Sequence, residues 1–186
     1  DHAGTTPMDM CLDAVDAATK VISKIPDWAR EKGDGTVATT GYMKTIPGGM
    51  NIVAEEVQFT VDIRSSNNDH ICDIADRIRR ELEIQTKAMG GSYEIDTKLV
   101  ITPMHLSEEM LSIMEEDCKA KGYSYKRLPS GAGHDALEIG QVIPTVMLFV
   151  PSKDGRSHCP VEHTPGEAFG KASTVMTHLA KDLLTR

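Results

Sequence analysis

The chain has 186 residues, of which 40% are hydrophobic, and its 20 basic and 28 acidic side chains give a net charge of −8. This composition is that of a globular protein and excludes disordered and collagen-like classes, while the lack of a basic stripe argues against a nucleic-acid-binding protein. No apolar run approaches the roughly 18 residues that a membrane span requires.

The first hundred residues predict the order helix, strand, strand, helix, strand. Apolar residues at three- and four-residue steps indicate the helices, and alternation of apolar and polar residues indicates the strands. This order favours an α+β fold in which an antiparallel sheet carries two helices on one face. The predicted helices cover 9–25 and 67–89, and the predicted strands cover 36–45, 51–64 and 93–101.

The residues from 103 onward predict an α/β segment, because helices and strands alternate there. One helix is expected to start at Ser107, and a terminal helix is expected after Thr164, which opens a capping box. The segment 123–128 predicts a short strand, and the apolar run 144–150 predicts a buried strand.

The four cysteines are far apart and form no Cys-x-x-Cys pair, so neither a zinc ribbon nor a disulfide framework is indicated. Reduced thiols and the acidic charge balance predict a cytoplasmic protein. These cysteines are Cys11, Cys72, Cys118 and Cys159.

Two loops contain histidines that suit proton transfer or oxyanion stabilisation. His2 lies in a small-residue segment, although a single terminal histidine is more often exposed and idle. His134 follows Gly133 in a glycine-rich loop that would let a ligand approach the backbone. The alternative for this second loop is an ordinary helix start with Asp135 in the first turn.

A third loop contains candidate metal ligands. His158 follows the apolar run 144–150 and has a carboxylate, Glu162, four residues later, which fits a metal ligand with a supporting group. With His163 the loop offers three donors, but this spacing follows no established rule. The alternative is a solvated loop.

Arg64 and Asn51 stand at the two ends of one predicted strand. An arginine is suited to bidentate capture of a carboxylate, so Arg64 is a candidate for binding an acidic substrate. From the periodicity alone, an ordinary surface charge is the better interpretation of Arg64. The residues alone therefore predict a two-part protein, α+β followed by α/β, with a histidine-containing site.

Four segments in order resemble the hydantoinase/carbamoylase branch of the zinc-dependent amidohydrolases. The resemblance covers nearly the whole chain, and the spacing between the segments also matches that family. The matching segments are His2 to Met8, Asn51 to Ser65, Ser130 to Ala136, and Pro151 to Glu162.

This resemblance implies two domains: residues 1–102 as the lid, or dimerisation, domain and residues 103–186 as the C-terminal part of the catalytic domain. It implies a pair of divalent metals, zinc or manganese with cobalt or nickel as further options, which activates a water molecule. His158 matches the last metal ligand of the family, and Glu162 is expected to support it.

The resemblance also assigns the remaining residues. His2 matches the lid histidine that stabilises the tetrahedral intermediate, commonly in the site of the partner subunit. Asn51 and Arg64 match residues that hold the substrate, with Arg64 on its carboxylate, and Gly133 and His134 match a substrate-pocket segment. The implied substrates are N-carbamoyl amino acids or allantoate, and the implied assembly is a homodimer through the lid, without nucleic acid or membrane.

The chain departs from this family because no segment matches the N-terminal half, which holds the other metal ligands and the general-base glutamate. We therefore expect a fragment that is inactive alone, does not retain the metal pair and needs the missing half as a partner. Two alternatives remain: a non-catalytic dimerisation or binding module with the lid fold, and a related metallopeptidase or aminoacylase.

Overall fold

The computed structural model describes residues 1–185, and the chain divides into two compact units, Asp1–Pro103 and Met104–Arg186. Each unit contains its own hydrophobic cluster. Within the described residues, the helices are all too short or too polar to cross a membrane.

The first unit begins with two short helices where the sequence predicts one helix over 9–25. Helix α1 covers Ala14–Ile22 and helix α2 covers Ile25–Arg30. The carboxylate of Asp13 accepts a hydrogen bond from the Val15 amide and so caps α1. Pro26, the residue that follows the predicted helix, lies in the first turn of α2, where its missing N–H costs no hydrogen bond.

The two strands form an antiparallel ribbon. Strand β1 covers Val37–Ile46 and strand β2 covers Glu56–Arg64, so the second strand starts five residues later than predicted. Val37 pairs with Arg64 at one end and Ile46 pairs with Glu56 at the other. The register shifts between Thr40 and Tyr42, which leaves one extra residue in β1 as a bulge.

The alternation predicted for β2 is confirmed by its burial. Every second residue from Glu56 is exposed, and the residues between are half-buried. Phe59, Val61 and Ile63 pack from this inner face against a core that the helices supply. The buried members of that core are Val21, Ile25, Ala29, Ala38, Ile74 and Ile78.

Helix α3 covers Asn68–Ala88 and is capped by Asn67, whose side chain accepts from the Asp69 amide. All three helices therefore contribute to one face of the ribbon, and the α+β class is confirmed for this unit. The strand predicted over 93–101 is wrong, since no residue there belongs to a helix or strand. Alternation describes side-chain placement, whereas a strand also needs a hydrogen-bonded neighbour.

The second unit is built on two helices. Helix α4 covers Glu108–Ala120 and helix α6 covers Gly166–Thr185, and their buried side chains Met114, Cys118, Val175 and Leu179 form the core. A four-residue helix, α5, covers Ala136–Ile139, and a 3₁₀ turn covers Lys153–Gly155.

The α/β class predicted for this unit is not realised in residues 104–185. The segments 123–128 and 144–150 form no strand there, although Tyr123 and Val146 pack against the core of α4 and α6. The amide of Ser107 donates to the Thr145 carbonyl, 2.9 Å away, which attaches the second segment to the start of α4. One isolated hydrogen bond does not make a ladder.

Candidate functional site

The backbone brings His2 and Asn51 together, although they are 49 positions apart. His2 forms an isolated antiparallel bridge with Ile52. The amide of Ala3 donates to the Asn51 carbonyl at 2.9 Å, and the amide of Val53 donates to the Asp1 carbonyl at 2.9 Å. Two predicted site residues therefore lie next to each other beside the ribbon end at Glu56.

One hydrogen bond selects the tautomer of the neutral His2 imidazole. Its Nδ1 accepts a hydrogen bond from the Gly4 amide at 3.0 Å. A ring nitrogen that accepts carries no proton, so the neutral ring has its hydrogen on Nε2. His2 is exposed, and this arrangement offers Nε2–H as a hydrogen-bond donor.

Arg64 ends strand β2 on its exposed face and binds the carboxylate of Asp62 on the same face. Its Nε donates to the two Asp62 oxygens at 3.0 and 3.1 Å, and its Nη2 donates at 2.7 Å. The hydrogen bond and charge of Arg64 hold the pKa of Asp62 below its usual range, so Asp62 is ionised at neutral pH.

Arg64 lies at the opposite end of the ribbon from the His2–Asn51 segment. Eight residue steps of about 3.3 Å put Arg64 about 26 Å along the strand from Glu56. Glu56 is the end near which His2 and Asn51 join the ribbon. The structure therefore places the predicted lid residues in two groups.

Beside Arg64, four polar side chains form a network that the sequence analysis missed. The Thr36 hydroxyl lies 2.7 Å from the Ser65 hydroxyl and donates to the Asp34 carboxylate. His70 Nδ1 lies 2.8 Å from the other Asp34 oxygen. The Thr36 hydrogen bond is the main cause that lowers the pKa of Asp34, and His70 adds to it. The available signal was Asp-x-Thr at a turn, a common local hydrogen-bonding pattern.

The loop of Gly133 and His134 leads into the short helix α5, which begins at Ala136, so Asp135 lies just before the first turn. His134 Nδ1 accepts from the Ala136 amide at 3.1 Å, so His134, rather than Asp135, satisfies a helix-start donor. The neutral His134 ring therefore carries its proton on Nε2. A methyl group added at Gly133 would meet no atom within 4 Å among the described residues, so packing does not require glycine there.

His158 is in the left-handed backbone region, with a φ of 57°. This conformation costs a non-glycine residue about 1–2 kcal/mol and persists where the surroundings fix it. The fixing contact is a hydrogen bond of 2.7 Å from the His158 amide to the Glu162 carboxylate. Glu162 thus supports the backbone of His158, whereas a metal-supporting role would require contact with the imidazole.

Residues 1–185 do not assemble a metal centre. No group of three or more histidine, cysteine, aspartate or glutamate side chains converges among them. The three donors of the 158–163 loop are therefore not gathered into one ligand set. A metal pair needs more ligands than His158 alone supplies, so the described residues do not fit the metal pair that the resemblance implies.

The comparison with known proteins identifies the family. The profile of peptidase family M20/M25/M40 matches residues 6–182. The chain belongs to this family. An amidase of the hydantoinase/carbamoylase family from Burkholderia multivorans superposes on this M20 chain with a TM-score of 0.87 at 29% identity, over 96% of this chain and 44% of that one.

Relatives in this family carry the names that the resemblance predicted. An N-carbamoyl-L-amino-acid amidohydrolase from Paenarthrobacter aurescens is 36% identical over 183 residues, which cover 98% of this chain and 44% of that protein. An allantoate amidohydrolase from Escherichia coli (strain K12) is 31% identical over 164 residues, which cover 88% and 40%. The predicted resemblance is confirmed, and the M20 chain spans less than half the length of these relatives.

Proposed function

We propose that this chain supplies the lid and the C-terminal part of the catalytic domain of a hydrolase that cleaves the C–N bond of N-carbamoyl amino acids or allantoate. The observation that carries the proposal is the match of nearly the whole chain to enzymes named for these substrates. Residues 1–102 form the lid in this proposal, and residues 103–186 form the catalytic part.

The geometry supports a separate role for each group of lid residues. The Nε2–H of His2 is a donor that suits a negatively charged oxygen developing on the attacked carbon, and the backbone of Asn51 lies beside the backbone of residues 2 and 3. Arg64 has the planar donor set that binds a carboxylate. Because these groups join the ribbon at opposite ends, we place them in the two composite sites of a homodimer that forms through the lid.

Dimer formation has a direct measurement. We expect the purified chain to sediment as a dimer at micromolar concentration and to dissociate on dilution. A monomer at every concentration tested would contradict the shared site, although it would leave the family unchanged.

The remaining assignments concern the catalytic part. Gly133 and His134 line the substrate pocket in this proposal, supported by the open surroundings of Gly133 and the Nε2–H of His134. His158 is the single metal ligand that we assign here. Since the described donors do not converge, the other ligands and the general base belong to sequence outside these 186 residues.

The proposal is tested by metal analysis and turnover on the same samples. The 186-residue chain and a longer enzyme that contains it are assayed with an N-carbamoyl amino acid, allantoate and a dipeptide. We expect substoichiometric metal and no turnover from the chain alone, and turnover of a carbamoyl or ureido substrate by the longer enzyme. Stoichiometric metal with turnover by the chain alone would overturn its incompleteness, and dipeptide cleavage alone would favour a peptidase.

Two substitutions in the longer enzyme separate the assigned roles. We expect Arg64→Ala to raise KM for carboxylate substrates with metal content unchanged, because it removes ground-state binding. His158→Ala is expected to deplete the metal. Metal loss in the Arg64 variant, or full metal content in the His158 variant, would contradict the assignment. An inactive longer enzyme that still dimerises would favour the non-catalytic module.

A further inference from the structure

Asp62 and Arg64 form a three-contact pair on the exposed face of β2. Residues two apart on a strand point to the same side, so the carboxylate lies directly beside the guanidinium. The carboxylate of Asp62 accepts hydrogen bonds from Nε–H and Nη2–H of Arg64 at 2.7–3.1 Å. These two donors form one side edge of the guanidinium group. Two points of attachment fix the plane of the group as well as its position.

The ion pair between Asp62 and Arg64 contributes little to the folding stability of the protein. The two side chains are 54% and 49% exposed, and exposed ion pairs add little to the stability of a protein. The carboxylate instead removes rotational freedom from a long side chain that would otherwise sample many conformations. The contact with Asp62 thus fixes the position of the Arg64 guanidinium at the end of strand β2.

The backbone below Arg64 is fixed independently. Arg64 pairs across the ribbon with Val37, and the next residue, Ser65, holds the buried hydroxyl of Thr36 at 2.7 Å. The Ser65 hydroxyl also accepts from the Asn67 amide at 3.1 Å. The stem of Arg64 is therefore anchored by the ribbon end, and its tip is anchored by Asp62.

We propose that Asp62 is a positioning residue for Arg64, which it holds in one orientation for a substrate carboxylate. A guanidinium has five N–H donors, which is more than a single carboxylate engages, so one arginine can bind two carboxylates. This inference rests on the proposed role of Arg64 in substrate binding. The competing possibility is that Asp62 occupies the place of the substrate and weakens its binding.

The test compares KM and kcat in the longer enzyme for a carbamoyl amino acid and its carboxamide. Asp62→Ala is expected to raise KM for the carboxylate substrate about fivefold and to change kcat by less than about twofold. A KM change of this size is what the loss of one exposed ion pair would cause. The carboxamide is expected to show no such change. Asp62→Glu is expected to restore most of the affinity, because it returns a carboxylate. Asp76→Ala, which removes the partner of Arg79 on α3, is the matched control.

The possible failures are distinguishable. An unchanged or lower KM in Asp62→Ala, or equal changes for both substrates, would overturn the positioning role. If Arg64→Ala leaves the preference for the carboxylate intact, the proposed function of Arg64 itself fails. In the 186-residue chain, exchange of the Arg64 Nε hydrogen with water is expected to accelerate in Asp62→Ala, and an unchanged rate would also overturn the inference.

Discussion

Thr36 shows how one side chain secures the end of the ribbon. It is 7% exposed, and its hydroxyl joins Asp34 to Ser65. Thr36→Val keeps the shape and removes the hydroxyl, which leaves two polar partners without their hydrogen bond. We expect the free energy of unfolding in urea to fall by about 1–2 kcal/mol.

The control is Thr39→Val, at an exposed position of strand β1, which begins directly after Thr36. It is expected to change the free energy of unfolding by less than about 0.5 kcal/mol. Equal effects of the two substitutions would show that the hydroxyl network contributes nothing beyond strand propensity.

Asp34 gives the network a pH dependence. Its pKa in the folded chain is lowered, first by the Thr36 hydroxyl, so the folded state favours the carboxylate. The stability that Asp34 contributes is therefore complete above the ordinary pKa of about 4 and is lost as the pH falls through the lower folded value. We expect the stability of Asp34→Asn to fall less steeply below about pH 4 than that of the unsubstituted chain. Urea unfolding midpoints at several pH values measure this difference. The same acid slope in both proteins would contradict this.

At the scale of the element, two glycines in the second unit differ in the space around them. Packing excludes a side chain at Gly140 and leaves room for one at Gly170. An added methyl at Gly140 would overlap with Met104 Cε and lie 2.8 Å from the Ala136 carbonyl oxygen, so alanine requires a shift of the backbone or of Met104. At Gly170, inside α6, the methyl would meet nothing within 4 Å among the described residues.

These surroundings predict that alanine at the two positions changes the free energy of unfolding in opposite directions. Gly170→Ala is expected to raise the free energy of unfolding by about 0.5–1 kcal/mol, because alanine loses less backbone freedom in a helix. Gly140→Ala is expected to lower it by about 1–3 kcal/mol through overpacking. Thermal melts followed by circular dichroism measure both, and a stabilised Gly140 variant would show that Met104 moves freely.

The helices could be predicted from the sequence, whereas several of the strands could not. The helices α3, α4 and α6 are predictable, because their apolar spacing and their start signals are local. The segments 93–101, 123–128 and 144–150 have the composition of strands without a ladder in residues 1–185. Their partners are not specified by local sequence, since strand pairing joins distant residues.

At the scale of the whole molecule, the two cores share no residue. Trp28, the only tryptophan, packs against the core of the first unit and reports on it. Ile74 is fully buried there, so Ile74→Ala should lower the stability seen by Trp28 fluorescence by about 2–5 kcal/mol.

Val175→Ala in the second core is the matched substitution. We expect it to shift the circular dichroism transition of the helices and to leave the Trp28 midpoint nearly unchanged. An equal shift of the Trp28 midpoint by both variants would show that the two units unfold as one cooperative structure.

The sequence by itself determined the α+β class of the first unit, while its domain boundary near residue 103 and its candidate site residues stay predictions. Helix periodicity, the alternation of β2 and the caps are local properties, so they can be inferred without coordinates. The four ordered segments were also sufficient to indicate the family that the comparison then showed.

Only the tertiary structure decided which of these residues meet and how. It brought His2 to Asn51, set Asp62 on Arg64 and used Glu162 to hold the His158 amide rather than its ring. It also divided the candidate site residues of the first unit between the two ends of the ribbon. Such contacts depend on hydrogen bonds between distant backbone segments and on side-chain orientation, neither of which a residue type or a spacing specifies.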